Sequence, residues 1–236
     1  MRPLIIAIDG PSGSGKSTLG RLLARALGLL YVDTGSMYRA VALAVIQDDI
    51  DPDDSEGVTS VAESSEIDLE GDPDSLKVFL GGRDITNLIR SERVTEVSSI
   101  VSAIPGVRRA MVARQREIAK RGAVLNGRDI GTVVFPNADI KFFLTAAPEE
   151  RAKRRFEECR ATDANADYNA ILADMIERDR RDSTRTDSPL KIADDAVVVE
   201  STGKSIDHVF DEMMDLIRQR KGKTEKRENG EKEKEN

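Results

Sequence analysis

The chain is short of the residues that stiffen or cross-link small domains. Among its 236 residues there is no Trp, one Cys and one His, and aromatics make up only 4%. A lone Cys159 excludes an intrachain disulfide and suits a reducing compartment. With one His and one Cys, no structural zinc cluster can be assembled. His208 lies beside Val209 and Phe210, far from every motif, and reads as packing or surface. No apolar run is long enough to cross a bilayer, and the N-terminal one is too short for a signal peptide, so a cytoplasmic location is expected. A dominant charge is missing too. The 36 basic and 43 acidic residues leave −7, which gives no global attraction to nucleic acid or anionic membrane. The hydrophobic 39% is therefore mainly aliphatic, in a chain long enough for one or two domains with a substantial core.

What the chain does contain is Gly10-Pro11-Ser12-Gly13-Ser14-Gly15-Lys16-Ser17-Thr18, which fits G-x-x-x-x-G-K-[ST]. Leu4 to Ile8 before it is an apolar run of strand length. Leu19, Leu22, Leu23, Ala26 and Leu27 after it recur at helical spacing. Glycines at a strand-to-helix turn expose successive amides, and a helix N-terminus adds its unpaired ones, so together they make a cup for phosphate oxygens. Lys16 would reach the outer phosphates, and Ser17 would help hold magnesium. A flexible Gly/Ser turn is the plain alternative; the strand and helix around it argue for a nucleoside triphosphate site.

A second strand, Leu29 to Val32, delivers Asp33-Thr34-Gly35-Ser36-Met37-Tyr38-Arg39, and a helical pattern resumes over Ala40 to Ile46. Two such units in succession predict an α/β fold with a parallel sheet, whose ligands gather at the strands' carboxyl ends. Asp33, Thr34 and Arg39 then share an edge with the glycine loop, although Asp33 could equally be a helix cap and Arg39 a surface charge. The acidic run from Asp48 to Glu56 reads as a solvated loop. Period-two alternation over 66–70, a turn at Asp72 to Ser75, and a hairpin signal at Gly81-Gly82 predict a small antiparallel meander over about 60–90. Helices are expected over Ser91 to Ala103 and from Pro105 towards Gly122. The second of these places Arg108 and Arg109 near its N-terminus, where cations oppose the macrodipole. Strands follow at Ala123 to Leu125, Ile140 to Leu144 and Ala196 to Val199.

Between the last two strands lies an arginine-rich stretch, about 149–188, beginning Glu149-Glu150-Arg151-Ala152-Lys153-Arg154-Arg155 and ending Glu177 to Arg185. Alternating charge allows an exposed helix hairpin. Beside a triphosphate site it also suits a lid that closes over the transferring phosphate. The tail, 218–236, is nearly devoid of apolar residues and is expected to be disordered.

With these motifs assembled, the chain resembles the bacterial cytidylate kinases of the nucleoside monophosphate kinase superfamily. The resemblance rests on the glycine loop, Asp33 to Arg39, Gly127-Arg128-Asp129-Ile130-Gly131-Thr132-Val133-Val134-Phe135-Pro136, and Arg178-Asp179-Arg180-Arg181-Asp182. It implies a P-loop NTPase-like five-stranded parallel core (1–59 and 91–217), an inserted monophosphate-binding lobe (60–90) and a helical arginine-rich lid. It implies ATP-dependent phosphorylation of CMP and dCMP with Mg as cofactor, by a chain acting as a monomer, with Lys16, Arg128, Arg154 and Arg178 as catalytic residues. ATP would be held by Gly10 to Thr18, including Pro11, Ser12, Gly13, Ser14, Gly15 and Ser17. CMP would be held by Thr34, Arg39, Ser99, Arg108, Arg128, Asp129, Arg178, Asp182 and Arg185. Magnesium would lie on Ser17, with Asp33 a further candidate. Two departures from the family pattern stand out. Asn126 occupies a usually acidic position, and Thr34 a position where serine is common. Another P-loop small-molecule kinase and a nucleotide-dependent switch remain alternatives, to be separated by what the acceptor pocket takes.

Overall fold

The computed structural model describes residues 3–161 and 164–232, with side chains through Arg220. Its centre is β1 (Ile5–Asp9), buried at every position. An apolar strand with no polar face needs cover on both sides, which a parallel sheet between helical layers supplies. β2 (Leu30–Asp33), β6 (Ala123–Gly127), β7 (Ile140–Thr145) and β8 (Val197–Glu200) complete a sheet in the order β2-β6-β1-β7-β8. All four pairings are parallel. On one face α1 (Lys16–Leu27) and the last helix, α8 (Ile206–Lys232), pack Leu19, Leu23, Val209, Met213 and Ile217 against Ile6, Ile8 and Phe142. The other face is covered by α2 (Thr34–Gln47), α3 (Ser55–Ser64), α4 (Glu92–Val101) and α5 (Pro105–Ile118).

The small sheet is antiparallel, as its alternation predicts: β3 (Ile67–Glu70), β4 (Lys77–Leu80) and β5 (Arg83–Asp84). Gly81 and Gly82 have φ of 54° and 74°, the double left-handed conformation of a tight hairpin that only glycine adopts without strain. The last strand is shorter than the pattern suggests. Thr86 lies beyond it, and its hydroxyl accepts the Val78 amide at 3.0 Å. Ile67, Val78 and Ile85 are buried in the same cluster as α2 and α5, so the lobe shares the main core.

Two expectations differ from the structure. The acidic stretch after Asp48 is only partly loop. Asp54 accepts the Gly57 amide at 3.1 Å as an N-cap, and α3 then buries Val58, Val61 and Ala62. Of the tail expected to be disordered, 218–236, the residues through Lys232 continue α8, and 233–236 lie outside the described residues. Lys, Glu and Arg are good helix formers, so backbone helix can propagate there without an apolar face. The arginine-rich stretch is the predicted hairpin, α6 (Pro148–Arg160) and α7 (Tyr168–Thr184).

Candidate active site

A cleft of about 820 Å³ opens along the carboxyl ends of β1, β2 and β6, the edge that parallel sheets present to ligands. The glycine loop forms its floor. Gly10 and Pro11 do not line it; they turn the chain off β1. A Cβ on Gly10 would come within 2.0 Å of the Leu144 carbonyl oxygen, and its φ is 147°, so both space and conformation require glycine. Ser12 to Thr18 do line the cleft. Lys16 is buried, its ammonium donating to the Pro11 carbonyl at 2.5 Å and to the Ser14 hydroxyl at 3.3 Å. Burial, followed by the Arg128 guanidinium, holds its pKa well below the ordinary lysine value. An incoming polyphosphate would therefore meet a cation short of counter-charge.

Asp9, which the sequence marks only as a strand boundary, underlies the loop. Its carboxylate accepts the Ile130 and Gly131 amides at 2.8 and 2.7 Å, tying β1 to the segment that carries Arg128 and Asp129. Burial raises its pKa to about 6 despite these bonds.

The facing wall is made of guanidinium groups. Arg39 on α2 donates to Asp33 at 3.2 Å. Asp33 stands at the N-cap position of α2, but its side chain makes no capping bond, so the pairing with Arg39 replaces the cap role. Arg128 donates through Nε to Asp182 at 2.7 Å. Burial pushes the Asp182 pKa up, but Arg128 and its hydrogen bond outweigh that and keep it below the usual carboxylate range. Arg178, one turn before Asp182 on α7, is pulled down to about 10, first by burial and then by Arg128. Three cations here meet two carboxylates, Asp33 and Asp182, which leaves an excess positive charge that a bound anion would offset.

Deeper in, Arg108 pairs with Asp129 as a buried ion pair and donates to the Ser102 carbonyl at 3.1 Å. Its guanidinium lies 5.6 Å from the centre of the Tyr38 ring. Arg109 is exposed, so of the two arginines placed unfavourably at the start of α5 only Arg108 enters the site. Its opposing dipole is offset by the Asp129 carboxylate. Arg185 reaches the same pocket, 4.0 Å from Asp129 and 3.9 Å from Asp182. Thr34 is buried and donates its hydroxyl to the Asn126 carbonyl at 2.7 Å. Ser99 is not brought into the cleft. On α4 the residues that line it are Thr95, Ser98 and Ser102. Arg154 lines the cleft near the loop, donating to Ser201 Oγ and O at 3.2 and 2.8 Å. Asn126 Nδ2 donates to Ser17 Oγ at 3.0 Å, and the buried Asn126 Oδ1 has no partner.

Tyr38, Ser102, Ser201 and Asp9 carry no sequence signal of their own; only neighbours distant in the chain give them a place in the site.

Comparison with known proteins agrees with this geometry. The family model described as cytidylate kinase matches residues 6–219. A cytidylate kinase of Mycolicibacterium paratuberculosis is 48% identical over 219 residues, covering 92% of this chain and 96% of the relative. One from Caldicellulosiruptor bescii is 45% identical over 218 residues, with the same two coverages. Among solved structures, a gluconokinase from Sinorhizobium meliloti shares the fold at a TM-score of 0.50 and 14% identity, over 96% of this chain and 99% of that one. Sequence, cleft and relatives agree: the chain belongs to the cytidylate kinase family of phosphotransferases.

Proposed function

We propose that this chain transfers the γ-phosphate of ATP to CMP or dCMP, giving ADP and CDP or dCDP. The observation that carries the reading is a single cleft holding two separate anion sites, the glycine loop with Lys16 and the guanidinium wall of Arg39, Arg128 and Arg178. ATP phosphates fit the first and the acceptor phosphate the second, with the reacting ends between them. An acceptor phosphate is already anionic near neutral pH, so no general base is required. The residues have to align the two groups and stabilise charge on the transferring phosphoryl group. Lys16, Arg128, Arg154 and Arg178 are the groups assigned to that task. Planar guanidinium forks suit it because two donors meet two phosphate oxygens.

The Arg108–Asp129 pair with Arg185 suits cytosine. A carboxylate accepts from the exocyclic amino group, while guanidinium donors meet the ring nitrogen and carbonyl. Uracil would turn a carbonyl towards that carboxylate and be rejected. Thr34, whose hydrogen is committed to Asn126, offers only its oxygen lone pairs. Asp182, Arg178 and Ser99 are assigned to the sugar side, where Ser98 and Ser102 line the cleft.

The residues fit magnesium. Ser17 Oγ, the unpartnered Asn126 Oδ1 and the Asp33 carboxylate, the register neighbour of Asn126 across β2 and β6, are all hard oxygen donors. Among the described residues no cluster of three or more His, Cys, Asp or Glu could hold a metal, which suits an ion held mostly by phosphates and water. When bound, it would neutralise charge on the donor phosphates. The chain is proposed to act as a monomer. Among the described residues no helix is long and apolar enough to cross a membrane, in keeping with the cytoplasmic location proposed.

A coupled ADP-release assay across CMP, dCMP, UMP, AMP and shikimate tests the reading. CMP and dCMP should be preferred strongly. Preference for any other acceptor, or ATP hydrolysis indifferent to CMP with no CDP formed, would overturn it.

A further inference from the structure

The lid hairpin rests on the glycine loop through a bridge that the phosphoryl-transfer reading does not use. Arg151 on α6 is buried. Its Nε donates to the Ala146 carbonyl at 2.9 Å, and its Nη1 donates to the Ser12 carbonyl at 3.0 Å and to Asp179 at 2.6 Å. The other Asp179 oxygen accepts the Ser12 amide at 3.4 Å. Both peptide groups flanking Ser12 are thus held from the lid. At the next residue there is no slack, since a Cβ on Gly13 would lie 2.7 Å from Met175 Cε and 3.2 Å from Arg151 Cβ. Met175 and Asp179 are four residues apart on α7 and share one edge of it. Arg178, Asp182 and Arg185, at helical spacing, share the adjacent edge, which faces the acceptor side. One 17-residue helix therefore touches the donor loop along one edge and the acceptor wall along the next.

We infer that Asp179 and Arg151 are positioning residues that set the separation and angle between the donor and acceptor phosphates, by fixing α7 on Ser12. The pair is neutral overall, so it adds no net charge to the triphosphate site. Its contribution is register: in-line transfer tolerates little misplacement, and a 1 Å error can cost about 10²-fold in rate. The inference rests on the kinase reading above. Wild-type CDP formation tests that reading separately, and only the difference between variants and wild type tests the bridge.

The experiment compares wild type with Asp179→Ala, Asp179→Asn, Asp179→Glu and Arg151→Lys. Ile176→Ser, an exposed change on α7, serves as control. Steady-state CDP formation is measured alongside calorimetric binding of CMP and of a non-hydrolysable ATP analogue, each alone and in the presence of the other. Expected for Asp179→Ala and Asp179→Asn is a kcat about 10- to 100-fold lower, with KM for both nucleotides within about threefold. The bridge also predicts that the ATP analogue strengthens CMP binding in wild type and that this strengthening shrinks towards none in the variants. Asp179→Glu restores the charge but moves α7 by one methylene, and should not restore kcat. If Asp179→Ala does not fold, Asp179→Asn and Arg151→Lys carry the test. A kcat within twofold of wild type in a folded Asp179→Asn, full recovery in Asp179→Glu, or a loss confined to KM for ATP would overturn the inference.

Discussion

In the proposed reading, the donor and acceptor halves of the cleft bind the same kind of group by opposite means. The donor half is a contiguous stretch, Ser12 to Thr18, which would offer phosphate mainly backbone amides and one lysine. The acceptor half gathers side chains from α2, α5, the end of β6 and α7, separated by up to about 150 residues of chain. Backbone amides are not removed by side-chain truncation, so the side chain through which the donor half should fail is Lys16. Substitutions of its glycines would act instead through the loop's shape. The acceptor half is a network of paired charges, in which each deletion also leaves a partner stranded. One half is a shape and the other is an electrostatic circuit.

The largest expected effect breaks the donor half. Lys16→Met should keep the fold and reduce CDP formation by about 10³-fold, as losing one preorganised charge-stabilising donor does. A melting curve alongside the assay checks both statements, and near-wild-type turnover in a folded variant would remove Lys16 from the chemistry.

Next comes the acceptor wall. Arg128→Lys keeps a charge but cannot hold Asp182 through Nε while presenting a fork to phosphate. kcat/KM for CMP should fall about 10²-fold, with binding of the ATP analogue nearly unchanged. A change shared equally by the two substrates would show the halves to be less independent than drawn here.

Asp129→Asn should act on discrimination. The amide can turn a donor towards uracil, so the preference for CMP over UMP should drop about tenfold or more in competition assays. Because the charge opposite Arg108 is also lost, a fall in stability of about 2–3 kcal/mol should accompany it in urea denaturation.

The smallest effect on the comparison between the halves is expected at Asp9, where the change is in stability. Its pKa is raised to about 6 in the folded chain, so between about pH 4 and 6 the folded state binds more protons than the unfolded one. This group's contribution therefore favours folding below that window and is lost as pH rises through it, by about 3 kcal/mol in all. Asp9→Asn should remove that slope in denaturation curves taken from pH 4.5 to 6.5. It also leaves one of the Ile130 and Gly131 amides without an acceptor, which costs about 1–2 kcal/mol at every pH. An unchanged slope would show that Asp9 titrates normally.

What could be read in advance differs between the halves for the same reason. The glycine loop is local, so nine consecutive residues and their flanks state its geometry. Arg128, Asp129, Arg178 and Asp182 were legible only as family motifs, since nothing in their own neighbourhoods says what they face. Ser99 was likewise named only from the resemblance, and on α4 the residues that line the cleft are Thr95, Ser98 and Ser102. The α3 helix was hidden by the acids around it, although Val58, Val61 and Ala62 have the right spacing. Asp9 and Asp179 were missed because their partners lie 121 and 167 residues away.

Composition, periodicity and the glycine motif by themselves determined a parallel α/β class, the strand-loop-helix cup and the edge where ligands gather, because each is signalled by residue patterns within single strand-turn-helix units. The strand pairings themselves join remote segments. Which charges neutralise one another was decided only by the tertiary structure. Arg108 against Asp129, Arg128 against Asp182, and Arg151 with Asp179 on Ser12 are pairings whose energies depend on burial and on distances of a few ångströms between remote segments.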